Sequence, residues 1–197
     1  MPREIEGDLK MTMYNLNAQI LKRVAKGVGN KEMGHNADCV HVCDKDGVRV
    51  YTAMNGIILF KEIDTAPTGV KLPTEGINVV INRSTLKEIT RKASDDMLNV
   101  VNPNTIIYGE GINPKMERAD NWFYDVENVL IKKPNKATQF MFFNPVYMND
   151  VHDFIGHDNF FSSTIRADED NRMLQITSPD KTRIALIMVY DSKRMWG

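Results

Sequence analysis

The sequence predicts an α+β protein in which one strand–helix–strands unit recurs three times, its helices lying on one face of antiparallel sheets. Three observations predict it. Apolar residues recur at helical spacing over 16–28, 84–93 and 145–155. A short strand-like run precedes each of these stretches, and alternating runs divided by turn signals follow each. The three sets start roughly 60 to 65 residues apart, the period of a structural repeat rather than of one irregular domain.

In the first unit, residues 10–14 alternate as a short strand. Asn15 offers an N-cap to a helix whose Leu16, Ile20, Leu21, Val24 and Val28 share one face. Gly29-Asn30 closes that helix. Strands follow at 39–43, 48–54 and 57–63, divided by turn signals at 44–47 and at Asn55-Gly56.

The second unit opens with the β-branched run 77–81. Ser84 is its candidate cap, Leu86, Ile89 and Ala93 form its helical stripe, and strands fall near 97–101 and 105–108. The third opens with a strand at 139–143, Asn144 as N-cap and Pro145 at the first helical position. Tyr147, Met148, Val151, Phe154 and Ile155 supply its apolar face, Gly156 ends it, and strands follow near 161–167, 173–177 and 183–190.

A chain of 197 residues with 42% hydrophobic and 26% charged content buries a core without disulfides. Its formal net charge of -1, taken alone, argues against a nucleic-acid partner. The charge is uneven, however: residues 11–93 hold 12 Lys+Arg against 8 Asp+Glu, so any electrostatic footprint belongs to the first half. The N-terminus lacks an apolar signal core and no run approaches the ~18 to 20 apolar residues that cross a bilayer, so the cytoplasm is the expected location. Cys39 and Cys43 cannot build a disulfide framework, which fits a reducing compartment.

Three motif classes point away from chemistry. No G-x-S-x-G, P-loop or Rossmann signature occurs, so neither catalysis nor a cofactor is expected. Asp95-Asp96 and the acidic run 168–170 read as turns between strands rather than a two-metal site. Alternation places Cys39, His41 and Cys43 on one strand face, with His35 nearby, but a flat Cys-x3-Cys suits tetrahedral zinc poorly. Small thiols, with Val40 and Val42 packing on the other face, are the expected arrangement, and no metal is assigned. Trp122, Phe123 and Tyr124 read as a core or crossover anchor rather than a base-stacking platform.

Several stretches taken in order resemble the bacterial DNA polymerase III β subunit, the sliding clamp. NAQILKRVAKGV at 17–28 resembles the clamp's opening helix, and YTAMNGIILF at 51–60 resembles its TATDGxRL strand–turn–strand, with Asn55 in place of the Asp. VVINRSTLKEI at 79–89 is similar to IIPRKTLKEL, and NWFYDVENVLI at 121–131 to the GxFPDYxxVIP crossover, with Tyr124 in place of the proline. FFNPVYMNDVHDFI at 142–155 looks like FNxxYLLDxLxAL, and the run 184–190 like the terminal YVVMPMR strand.

The resemblance implies a clamp-like domain over 1–133, made of units 10–67 and 77–133, and a further clamp-like unit over 134–197. Three units make about one and a half clamp domains, as in a compact phage or mobile-element version. It also implies a homo-oligomer that grips or encircles duplex DNA and tethers replication proteins through short peptides. Lys22, Arg23 and Lys26 project opposite the first helix's apolar stripe, and Arg83, Lys87, Arg91 and Lys92 do so on the second. In the clamp such residues meet phosphates without reading sequence; the alternative is a solvated helix face. Asp150, His152 and Asp153 make the third helix acidic to neutral, against this trend. The clamp's partner-peptide pocket falls by motif on Leu186, Met188 and Tyr190, whose alternative is a strand core. The rival function is a clamp-fold regulatory protein that binds replication or transcription proteins and never loads on DNA.

Overall fold

The computed structural model describes residues 13–29, 37–65, 77–92, 97–101, 105–108, 111–115, 117–118, 126–132, 144–168 and 172–188. β1 (Met13–Asn17) runs directly into α1 (Ala18–Val24), which tightens into one 3-10 turn over Ala25–Gly27. The cap is Asn17 rather than Asn15: its side-chain oxygen accepts from the amides of Gln19 at 3.0 Å and Ile20 at 3.1 Å. Asn15 is instead engaged in the strand ladder opposite Asn99, so pairing overrides the earlier cap. The helix also ends before Gly29. A Cβ added at Gly27 would lie 3.0 Å from Phe60 Cδ2, so the glycine lets the chain drop on to the sheet there.

β2 (Cys39–Lys45), β3 (Val48–Met54) and β4 (Ile58–Asp64) form an antiparallel meander. Its turns use the residues that tolerate positive φ, Asp46-Gly47 at 53° and 79° and Gly56 at 85°. The second unit comprises β5 (Asn78–Asn82), α2 (Arg83–Lys92), β6 (Met97–Val101), β7 (Thr105–Tyr108) and β8 (Gly111–Lys115), followed by the two-residue β9 (Glu117–Arg118). Its helix is capped by Asn82, which accepts from the Thr85 amide at 3.0 Å, while Ser84 donates its hydroxyl to the same oxygen.

After one helical turn, α3 (Val126–Val129), the third unit supplies α4 (Pro145–Ile155), the short α5 (His157–Phe160) and strands β10 (Thr164–Ala167), β11 (Met173–Thr177) and β12 (Arg183–Met188). Asn144 caps α4 by accepting from the Val146 amide at 3.0 Å, Pro145 opens it, and Gly156 leaves it at φ 93°. The expected strand over 161–167 shortens to β10 because residues 161–163 form the turn that leaves α5, with the Ser162 and Ser163 amides donating back to the Asn159 and Phe160 carbonyls. The strand expected at 139–143 and the end of the one expected at 183–190 lie outside the described residues.

The first two units exchange their opening strands. β1 pairs with β6 of the second unit and β5 with β2 of the first, giving a four-stranded sheet β1-β6-β7-β8 and an eight-stranded sheet β10-β11-β12-β4-β3-β2-β5-β9. Every pairing is antiparallel. The third unit joins the larger sheet through β12 against β4, with Ala185 opposite Phe60.

Among the described residues one core joins all three units. Buried Leu21 and Val24 of α1, Leu86 of α2, and Val151, Phe154 and Ile155 of α4 pack with Val40, Val42, Tyr51, Ala53 and Phe60 on one side of the eight-stranded sheet. Phe60 and Phe154 stack with ring centroids 4.3 Å apart, fastening the third unit to the first. The three predicted helices therefore share a face. The single turn α3 lies on the opposite face, where Val126 and Val129 pack against Leu59 and Leu186.

Candidate nucleic-acid interface and partner pocket

The helices contact one another in the order α2, α1, α4. Because α1 buries Ala18, Ile20, Leu21 and Val24, its Lys22 lies off the buried stripe, Arg23 sits on the flank that reaches β4, and Lys26 follows in the exposed 3-10 turn. Arg83 and Lys87 are exposed on α2, where Arg83 Nη1 donates to the Gly29 carbonyl at 3.2 Å. Arg91 and Lys92 lie in the last turn of α2, with side chains outside the described set.

These cations are not equivalent. Arg23 donates through Nε at 3.1 Å and Nη2 at 2.6 Å to the two carboxylate oxygens of Glu62, a side chain only 4% exposed. Arg183 of β12 donates to the same Glu62 through Nε at 3.3 Å and caps α4 by donating Nη1 to the Ile155 carbonyl at 2.6 Å. Arg23 thus braces the joint between the first and third units. Lys26 donates to Asp153 of α4 at 2.8 Å, a hydrogen bond that holds this carboxyl below the usual carboxylate range. Spacing could not reveal either arrangement, since the partners lie 39 and 127 residues away in sequence.

On the opposite face, Leu186 is buried and Met188 is 51% exposed, while Tyr190 lies outside the described residues. Leu186 sits directly opposite Leu59 and shares an apolar cluster with Ile131. Met54, Met173, Val129 and Leu130 pack around that cluster, a wall that motif matching does not assign. The buried Gln175 fixes this wall in place by accepting the Ile131 amide on its side-chain oxygen at 2.9 Å. Lys61, almost buried, is ion-paired with Glu127 of α3 and anchors the crossover, and this contact lowers the Glu127 carboxyl. Beside it an open cavity of about 540 Å³ is lined by His41, Cys43, Thr52, Lys61, Val126 and Glu127. Burial there lowers His41 and raises the Cys43 thiol.

Solved structures share this fold. The DNA polymerase III subunit β from Pseudomonas aeruginosa matches with a TM-score of 0.67 at 13% identity, over 97% of this chain and 69% of that one. A putative DNA polymerase III β subunit from Eubacterium rectale matches with 0.70 at 10% identity, over 96% and 68%. The sliding clamp from Bacillus subtilis matches with 0.69 at 12% identity, over 96% and 67%. The chain has the sliding-clamp fold. No protein-family model matches it, and no curated protein matches it in sequence.

Within this clamp fold the two candidate surfaces lie back to back on one sheet, the basic helices on one side and the apolar crossover wall on the other. Among the described residues no group of three or more His, Cys, Asp or Glu is placed to hold a metal ion. No helix among them is long and apolar enough to cross a membrane.

Proposed function

We propose that this chain is a sliding-clamp-like processivity factor that encloses duplex DNA as a homo-oligomer and tethers replication proteins, with no chemistry of its own. The observation that carries the reading is the separation of the two surfaces by one sheet. A processivity factor needs a phosphate-facing side that ignores sequence and a partner-binding side that remains open while DNA is held.

On the DNA side, Lys22, Arg83 and Lys87 meet phosphates, and Arg91 and Lys92 extend that line along α2. Lys26 shares its charge with Asp153, and Arg23 contributes by fixing α1 to the sheet. On the partner side, a short peptide with apolar anchors fits against Leu186, Met188 and the crossover, with Tyr190 as the remaining member by motif. The three flexible methionines there, Met54, Met173 and Met188, suit varied partners.

The test is the double variant Lys22→Glu/Lys87→Glu, titrated against duplexes of unrelated sequence at several salt concentrations. Binding should weaken alike on all of them, and the slope of log K against log salt should fall in magnitude by about 0.9 for each phosphate no longer neutralised. Parent-level binding at low salt would overturn the DNA side of the reading. The rival, a clamp-fold protein that binds replication or transcription proteins without loading on DNA, draws on the acidic α4 and on the carboxylate partners of Arg23 and Lys26. It takes over if that variant keeps both DNA and peptide binding unchanged.

A further inference from the structure

Two histidines of the third unit meet although helical geometry alone keeps them apart. On a continuous helix residues five apart point about 140° away from each other. His152 Nε2 and His157 Nδ1 nevertheless stand 3.1 Å apart. The cause is Gly156, whose φ of 93° ends α4 and turns α5 back against it. The turn is held by its own backbone and by β12. The Gly156 amide donates to the His152 carbonyl at 2.9 Å, and the Phe160 amide donates to the Gly156 carbonyl at 2.9 Å. Arg183 Nη1 holds the Ile155 carbonyl at 2.6 Å. Edge contacts orient both imidazoles, His152 against Phe160 and His157 against Phe161, each with ring centroids 5.2 Å apart. The other nitrogen of His152, Nδ1, faces Asp153 Oδ1 at 3.7 Å, while Asp153 Oδ2 accepts from Lys26.

We propose that His152 Nε2 and His157 Nδ1 bind a divalent transition ion such as Zn2+. Two nitrogens held about 2.0 to 2.1 Å from one tetrahedral ion are separated by about 3.3 Å, close to the spacing of this pair. Imidazole is a ligand for such ions, whereas Mg2+ and Ca2+ take oxygen. Metal binding needs both facing nitrogens bare. Each neutral ring meets this by carrying its single proton on the far nitrogen, which on His152 is the Nδ1 that faces Asp153. A carboxylate behind a ligand histidine is the usual outer partner in such sites. Two protein ligands leave the remaining positions to water or another oxygen, so the site is open, and no cluster of three such side chains marks it among the described residues. His152 and Asp153 flank exposed Asn149 on the arc of α4 away from buried Val151 and Ile155, and His157 is exposed, so the ion meets solvent on the helix side of the sheet. There α4 sets Asp150 and Asp153 against the single cation Lys26, whereas α1 and α2 present Lys22, Arg83 and Lys87. A bound dication supplies the positive charge that α4 lacks and an open position for a phosphate oxygen. That role rests on the proposed DNA-facing side; the site itself does not.

The experiment is a Zn2+ titration of the full chain at slightly alkaline pH, followed by proton–nitrogen correlation spectra of the histidine side chains. His152 Nε2 and His157 Nδ1 should shift together and saturate, and His152→Gln and His157→Gln should each weaken Zn2+ binding about tenfold or more. The double variant His41→Gln/Cys43→Ser, which removes the imidazole and thiol of the opposite face, should bind as the parent does. Facing nitrogens that do not move with Zn2+, a His152→Gln chain that binds as tightly as the parent, or loss of binding in the His41/Cys43 variant overturns the proposal. Should a histidine variant melt early, the nitrogen shifts of the parent still decide. On duplex DNA, Zn2+ should strengthen binding by the parent and not by His152→Gln; an equal effect on both overturns the charge role. Lys22→Glu/Lys87→Glu should bind Zn2+ like the parent whatever it does to DNA binding, so the two ideas fail separately.

Discussion

Charge placement decides several roles one residue at a time. Arg49 and Asp44 are both nearly buried and meet through Nε at 2.7 Å and Nη2 at 3.0 Å, while Asp44 also accepts the Ile77 amide at 3.1 Å. Removing Asp44 takes away the bidentate acceptor of Arg49 while Asp64 still stands opposite it in the ladder, so Asp44→Ala should lose about 1.5 to 3 kcal/mol in urea unfolding. A loss under about 1 kcal/mol would place this pair in solvent-like surroundings. Cys43 behaves in the opposite sense: burial raises its thiol, so at neutral pH it should alkylate more slowly than an unburied cysteine. Alternation alone placed Val40 and Val42 in the core with Cys39, His41 and Cys43 on the reverse side. The same reasoning could not see that Arg23 serves Glu62, because an ion pair between distant segments leaves no periodic trace.

At the scale of elements, the caps show where local signals suffice. Asn144 was legible because Pro145 follows it and Gly156 closes the helix. Asn17 was not, since Asn15 offers the same chemistry and only pairing with β6 decides between them. Replacing Asn17 by Ala should cost about 1 kcal/mol of stability in thermal or urea melts. The crossover is a second case: its sequence suggested a connector, but its role as a pocket wall depends on Gln175 holding Ile131. Met188→Glu should therefore abolish binding of a polymerase-derived peptide, read by fluorescence anisotropy, without lowering the melting temperature, because Met188 is half exposed. Gln175→Ala should weaken the same peptide while leaving the exposed Met188 unchanged. A Met188→Glu protein that unfolds would make that residue part of the core instead.

For the whole molecule, the threefold recurrence of strand, helix and strands was readable from spacing, because each amphipathic stripe needs a sheet to cover it. The exchange of β1 and β5 between units was not, since it depends on pairings that no local pattern encodes. That exchange merges the first two units into one body. Threading tests enclosure of DNA without a loading factor. The protein is bound to linear duplex with free ends, half of the sample then has both ends blocked by a bulky protein, and both halves are washed at high salt. Enclosure predicts retention on the blocked duplex and release from the open one; equal release, or equal retention, from both would contradict it.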